Sequence, residues 1–148
     1  MGFELGTDGP GAIVVGVDGS DTSMRAAAYG AGLARRQHAK LVLVYVRGQP
    51  PAGPLTVADF GGVISQQAVQ TQEDTEAHLR QLLRLVPALD VSLIVRSGDP
   101  APQLREVADT VKADEIVVGS SAGTRHRFAG AVGGRLVRTR RWPVTVVP

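Results

Sequence analysis

The chain has 148 residues, 16 Lys and Arg against 14 Asp and Glu, a formal charge of +2 and no cysteine. That length suits one domain with a real core, and without cysteine there are no disulfides, thiolate nucleophiles or Cys-based metal sites. No apolar run approaches the ~20 residues that span a bilayer, the first residues lack the basic-then-apolar order of a secretory signal, and Gly6 stands where myristoylation needs Ser or Thr. No membrane association and a cytoplasmic location are therefore expected.

In chain order, residues 1–11 are polar and Gly-rich and read as a flexible N-terminus preceding a domain over 12–148. Ala12 to Val17 is a continuous apolar run, the pattern of a strand buried on both faces. Asp18-Gly19-Ser20-Asp21 is a turn, and Asp21 or Thr22 offers an N-cap for a helix running to about Gln37. Met24, Ala27, Ala28, Ala31 and Ala34 share one small-residue face of that helix. Gly30 lies inside it, where it allows close packing on a sheet. Leu41 to Val46 is a second buried strand, and Gln49 to Asp59 is a Pro/Gly-rich excursion that could form a flap over the strand ends.

A long helix follows from about Gly62 to Leu85, ended by Pro87. Val91 to Val95 is the third strand. Gly98-Asp99-Pro100 then opens a helix, with Asp99 able to cap and Pro100 suited to the first turn; that helix carries Leu104, Val107, Ala108 and Val111. Glu115 to Val118 is strand four, the last helix spans Gly130 to Arg140, and Val144 to Val147 is strand five. Apolar strands alternating with helices predict an α/β fold, a parallel sheet covered on both faces with right-handed crossovers. In such sheets ligands sit at the carboxyl ends of the strands.

Two of those ends carry the chemistry. Strand one ends in Asp18-Gly19-Ser20, and strand four ends in Gly119 and a Gly/Ser turn leading to Arg125, His126 and Arg127. Glycine at a strand-to-helix turn lets the backbone approach an anion, and a helix N-terminus presents N–H groups to it. No acidic residue follows Glu115, while Arg125, Arg127, Arg135, Arg138, Arg140 and Arg141 do. That one-signed segment reads either as a solvated helix face or as an anion site. Nucleic acid is disfavoured, because aromatics make up only 4% of the chain and no helix combines basic residues with a base-reading stripe. There is no Gly-Lys-Ser/Thr phosphate loop and no Gly-x-Ser-x-Gly elbow. His38, His78 and His126 lack metal-ligand spacing, so no metal site is expected. Trp142 before Pro143 reads as a packing residue, and a subunit interface is one place that favours it.

Taken together, "IVVGVDGSDTSMRAAAYGAGLA", "GDPAPQL", "ADEIVVGSSAG" and "GRLVRTRRWPVTVVP" resemble the universal stress protein family over nearly the whole chain after residue 11. The resemblance implies a three-layer α/β/α fold, Rossmann-like and of the adenine nucleotide alpha-hydrolase type, with a five-stranded parallel sheet in the order 3-2-1-4-5. It implies a homodimer paired through the last strand, with Trp142, Val144, Thr145, Val146 and Val147 at the interface. It implies an adenine nucleotide (ATP, AMP or cAMP), and the binding candidates are Val17, Asp18, Val46, Gly98, Val118, Gly119, Ser120, Ser121, Gly123, Arg125, Gly130, Ala131 and Val132; of these, Gly119 and Gly130 match the first and last glycines of the family's phosphate loop, while Ser120, Ser121 and Arg125 are read from this sequence as groups able to grip phosphate. Asp18 matches the position that contacts adenine or ribose, and Val46 the small apolar residue against adenine; their structural alternatives are helix capping and plain core.

The phosphate loop departs from the family pattern. ATP-binding members have Gly, two residues, Gly, nine residues, then Gly with Ser or Thr. Here Ala122 stands three residues after Gly119, the glycine follows at Gly123, the interval to Gly130 is two residues shorter, and Ala131 lacks the hydroxyl. Two readings follow: a stress-response regulator that binds an adenine nucleotide, or a dimer that binds none and acts through a protein partner. A nucleotide-cleaving enzyme ranks last, since no general base is evident.

Overall fold

The structure, a computed structural model, describes residues 11–48, 61–120 and 127–148, with backbone alone for 61–68 and 127–131. The flexible segment expected before Gly11 and the flap expected over 49–59 lie outside the described residues. Five strands, β1 (Ala12–Val17), β2 (Lys40–Arg47), β3 (Val91–Ser97), β4 (Ala113–Gly119) and β5 (Val144–Val147), alternate with α1 (Asp21–Gln37), α2 (Gly61–Leu83), α3 (Pro100–Val111) and α4 (Arg127–Arg138). The strands form one parallel sheet in the order β3-β2-β1-β4-β5, the order the resemblance implied.

The side-chain period of two divides each apolar strand between two cores. Ile13, Val15, Val17, Leu41, Leu43, Tyr45 and Val117 pack under α1 and α2 with Ala26, Ala34 and Leu79. Val14, Val42, Val44, Ile116 and Val118 pack under α3 and α4 with Leu104, Val107, Ala108, Val132 and Leu136. The sheet is thus the middle of three layers.

Several expectations shift in detail. The N-cap of α1 is Ser20 rather than Asp21 or Thr22, its side chain accepting the Ser23 N–H; a hydroxyl one position earlier reaches that amide, and Asp21 becomes the first helical residue. The sheet-facing stripe of α1 is Ala26, Gly30 and Ala34, and Ala28 is exposed. Gly30 does permit close packing: a Cβ there would stand 2.5 Å from Val15 Cγ2. His38 ends α1 in the left-handed conformation, φ 55°, its N–H bonded to the Ala34 carbonyl. α2 stops at Leu83, β2 and β3 run on to Arg47 and Ser97, β4 begins at Ala113, and α4 spans Arg127–Arg138 rather than 130–140. Strand ladders continue past the apolar residues that mark them in sequence, while α2 and α4 end in i→i−3 turn bonds, Leu85 N–H to the Leu82 carbonyl and Arg140 N–H to the Val137 carbonyl.

Candidate functional site

The strand order reverses between β1 and β4, which both neighbour each other and lead to helices on opposite faces. A cleft of about 110 Å³ opens at the carboxyl ends of β1, β2 and β4, on the α3/α4 side. Its walls are Gly16, Val17, Val44, Val46 and Val118 from the sheet, Pro100 and Leu104 from α3 and Val132 from α4. Its polar rim is Asp18, Ser20, Thr22 and Ser23 from the β1–α1 turn, with Gly119 at the end of β4.

The turn is held by its own side chains. The Ser20 N–H donates to Asp18 Oδ1 at 2.8 Å, the Ser23 N–H to Ser20 Oγ at 3.3 Å and the Ser23 hydroxyl to the Ser20 carbonyl at 2.9 Å. The Asp18 N–H donates to Ser23 Oγ at 3.2 Å. This Asx-type turn suits Asp followed by glycine, and Gly19 takes φ +85°, a conformation that disfavours side chains. Asp18 is thereby fixed at the rim with its carboxylate exposed.

Gly119 has a packing role. A Cβ there would lie 2.6 Å from Thr22 C and 2.7 Å from both Ser23 N and Thr22 O, so β4 meets the start of α1 through bare backbone. That close approach brings the tips of β1 and β4 together.

Of the sequence-predicted residues, Val17, Asp18, Val46, Val118, Gly119 and Val132 line the cleft. Gly98 does not; it takes φ +114°, and its N–H donates to the Arg47 carbonyl at 3.1 Å, extending the β2–β3 ladder. Ser120 also lies off the cleft lining, its N–H bonded to the Val147 carbonyl at 2.7 Å. Ser121, Gly123 and Arg125 lie outside the described residues, and Gly130 and Ala131 are placed in α4 by backbone alone. Sequence reasoning missed Gly16, Ser20, Thr22, Ser23, Val44, Pro100 and Leu104. Gly16 carried a signal, since glycine inside a strand marks a bulge or a close approach. Leu104 and Val44 carried none beyond core.

The arginine-rich segment is less one-signed than its sequence. Arg135 donates to both carboxylate oxygens of Asp99, at 2.8 and 2.7 Å. Those bonds hold the Asp99 carboxyl below the usual carboxylate range. Asp99 occupies the N-cap position of α3 but makes no side-chain capping bond, its carboxylate being turned to Arg135 instead. Arg141 pairs with Asp109 at 2.6 Å and stacks over the Trp142 ring at 5.0 Å. Arg138 and Arg140 are exposed. Among the described residues there is no group of three His, Asp or Glu placed to hold a metal ion, and no helix is long and apolar enough to cross a membrane.

On the other face of the same sheet end, Tyr45 is buried under α2. Burial raises its pKa, opposed by its hydrogen bond with Thr75. Arg47 and Arg80 both bind Glu76, whose carboxyl is held low by the hydrogen bonds from Arg80 and then Arg47.

A sequence profile described as "Universal stress protein family" matches residues 11–148. The universal stress protein MJ0531 of Methanocaldococcus jannaschii is 28% identical over 139 residues, covering 91% of this chain and 80% of that protein. Among solved structures, the universal stress protein UspA from Lactobacillus plantarum superposes with a TM-score of 0.77 at 21% identity, covering 96% of this chain and 100% of that one. A universal stress protein in complex with cAMP superposes with a TM-score of 0.62 at 26% identity, covering 95% and 98% of the two chains.

Proposed function

Because the chain belongs to the universal stress protein family, we propose that it is a binding protein for an adenine nucleotide, with the base in the cleft at the ends of β1, β2 and β4. The observation that carries this reading is the composition of the cleft: apolar walls of Val44, Val46, Val118 and Leu104 under a polar rim that includes the Asp18 carboxylate. A flat ring fits apolar walls, and a carboxylate at a strand end accepts hydrogen bonds from ribose hydroxyls. The likeness to a protein in complex with cAMP supports the same ligand class. At about 110 Å³ the cleft is smaller than the ~300 Å³ at which small-molecule sites ordinarily begin. It takes the base, and sugar and phosphate lie at the rim beside Gly119, with the loop residues Ser120, Ser121, Gly123 and Arg125 and the α4 residues Gly130 and Ala131 as their candidate neighbours. Calorimetric titration with ATP, AMP and cAMP tests it: heat of binding is expected with at least one, and none up to millimolar ligand overturns it.

The protein acts as a cytoplasmic stress-response regulator rather than an enzyme, and as a homodimer. Support for the dimer is the position of β5 at the sheet edge, an open ladder that another strand can pair with. Val146 is 46% exposed there and Val137 of α4 55% exposed. Val144 and Val147 pack inward against the two cores, Trp142 is half-buried, and Thr145 bonds Glu115, so Val146 and the β5 backbone supply the contact. Native mass spectrometry is expected to give twice the chain mass; a monomer at micromolar concentration overturns the dimer. A second reading, a dimer that works through a protein partner without nucleotide, is favoured by the pairing of Arg135 with Asp99 and of Arg141 with Asp109, which leaves them less available to phosphate.

A further inference from the structure

We propose that Gly16 sets the depth of the cleft and thereby decides whether a flat ring enters it; the choice of a purine as that ring rests on the nucleotide reading above. Gly16 interrupts the buried run of β1, where glycine weakens a strand and needs a reason. The backbone supplies none, because positive φ among the described glycines is confined to Gly19 and Gly98. Packing is a softer constraint at Gly16 than at the other buried glycines. At Gly30 and Gly119 a Cβ would strike Val15 Cγ2 at 2.5 Å or Thr22 backbone at 2.6 Å, so those positions exclude a side chain outright. At Gly16 a Cβ would meet only side-chain ends, Leu104 Cδ1 at 3.0 Å and Val118 Cγ1 at 3.4 Å, which would have to give by a few tenths of an ångström. Leu104 and Val118 are walls of the cleft, and Gly16 lines it between them. A methyl group at Gly16 would therefore have to displace the ends of Leu104 and Val118, the walls that bound the cleft. The facing walls are apolar and the polar groups are confined to the rim, so the group admitted is an uncharged, flat ring, while charged parts of the ligand stay outside.

The test uses the full chain and calorimetry with AMP and adenosine on the wild type, Gly16→Ala, and Gly16→Ala with Leu104→Val, which returns the lost space from the opposite wall. Pushing the cleft walls together in this way is expected to weaken both ligands about tenfold or more in the single variant, with the modest fall in melting temperature that overpacking brings, and the double variant is expected to recover most of the lost affinity. If Gly16→Ala cannot be purified, Leu104→Phe fills the same gap from the other side and is expected to give the same loss. A wild type that binds while the filled variants bind equally well overturns the role of Gly16 and leaves the nucleotide reading standing. A loss that Leu104→Val does not restore also overturns it, since the strand and not the space would then be at fault. A wild type silent to both ligands overturns the nucleotide reading, and the inference falls with it.

Discussion

The two faces of the sheet end differently at their carboxyl edge. Under α1 and α2 the edge is filled: Tyr45 is buried, Thr75 occupies the space that a side chain on Gly19 would need, and Glu76 ties Arg47 to Arg80. Under α3 and α4 the neighbouring positions along the same strands are Gly16, Val44 and Val46, and the edge is hollow. One residue of register separates the two outcomes, since Gly16 pairs with Val44 and Val17 with Tyr45. Successive strand residues point to opposite faces, so a ring on one face and a missing side chain on the other give a single strand pair a sealed side and an open side.

The comparison can be broken most severely from the sealed side. Tyr45→Ala would hollow that face too and is expected to destabilise by about 3–5 kcal/mol, the range for truncating a buried aromatic, as measured by urea unfolding. Gly119→Ala forces a methyl group onto the Thr22–Ser23 backbone; backbone cannot give way as a side chain does, so a loss of about 3 kcal/mol, the upper end for overpacking, is expected, read as a fall in melting temperature. Ser20→Ala removes the cap of α1 and is expected to cost about 1 kcal/mol, with binding affected through the slackened Asp18 turn.

The smallest effects are electrostatic. Glu76 on the sealed side and Asp99 beside the open one both have carboxyl pKa values lowered by arginine. A lowered folded-state value contributes stability that is present above the unfolded value near pH 4 and is lost as the pH falls through the lowered one. The Glu76 side chain is 18% exposed and that of Asp99 50%, and solvent screens the more exposed pair more strongly. Glu76→Gln is therefore expected to remove more of the acid-side decline in stability than Asp99→Asn; equal effects in acid titrations followed by circular dichroism would show that burial does not separate the two pairs.

Much of the fold was legible because parallel strands buried on both faces write themselves as unbroken apolar runs: Ala12 to Val17 and Leu41 to Val46 leave little choice of structure. The order 3-2-1-4-5 came from the family resemblance and is the order found. Helix limits were less legible, because capping depends on which hydroxyl reaches which amide, and Ser20 outcompeted two plausible neighbours. The rim of the cleft was half visible: Asp18 and Gly119 end their strands in recognisable turns. The walls were not, because Leu104 and Pro100 arrive from a helix whose placement over the sheet is a tertiary fact. The pairing of Arg135 with Asp99 spans 36 residues, and no local pattern announces it, so the cationic segment looked more uniform than it is.

β1 lies in the middle of the sheet, hydrogen-bonded to β2 on one side and β4 on the other. A hollow whose floor is such a doubly anchored strand has no freedom to widen from below. Any accommodation of a guest must come from the helical side, through tilting or sliding of Pro100–Val111 or Arg127–Arg138. Guests differing in ring size would then be sorted by how far those two rods yield, while guests differing only in their tails would find the same rigid bed.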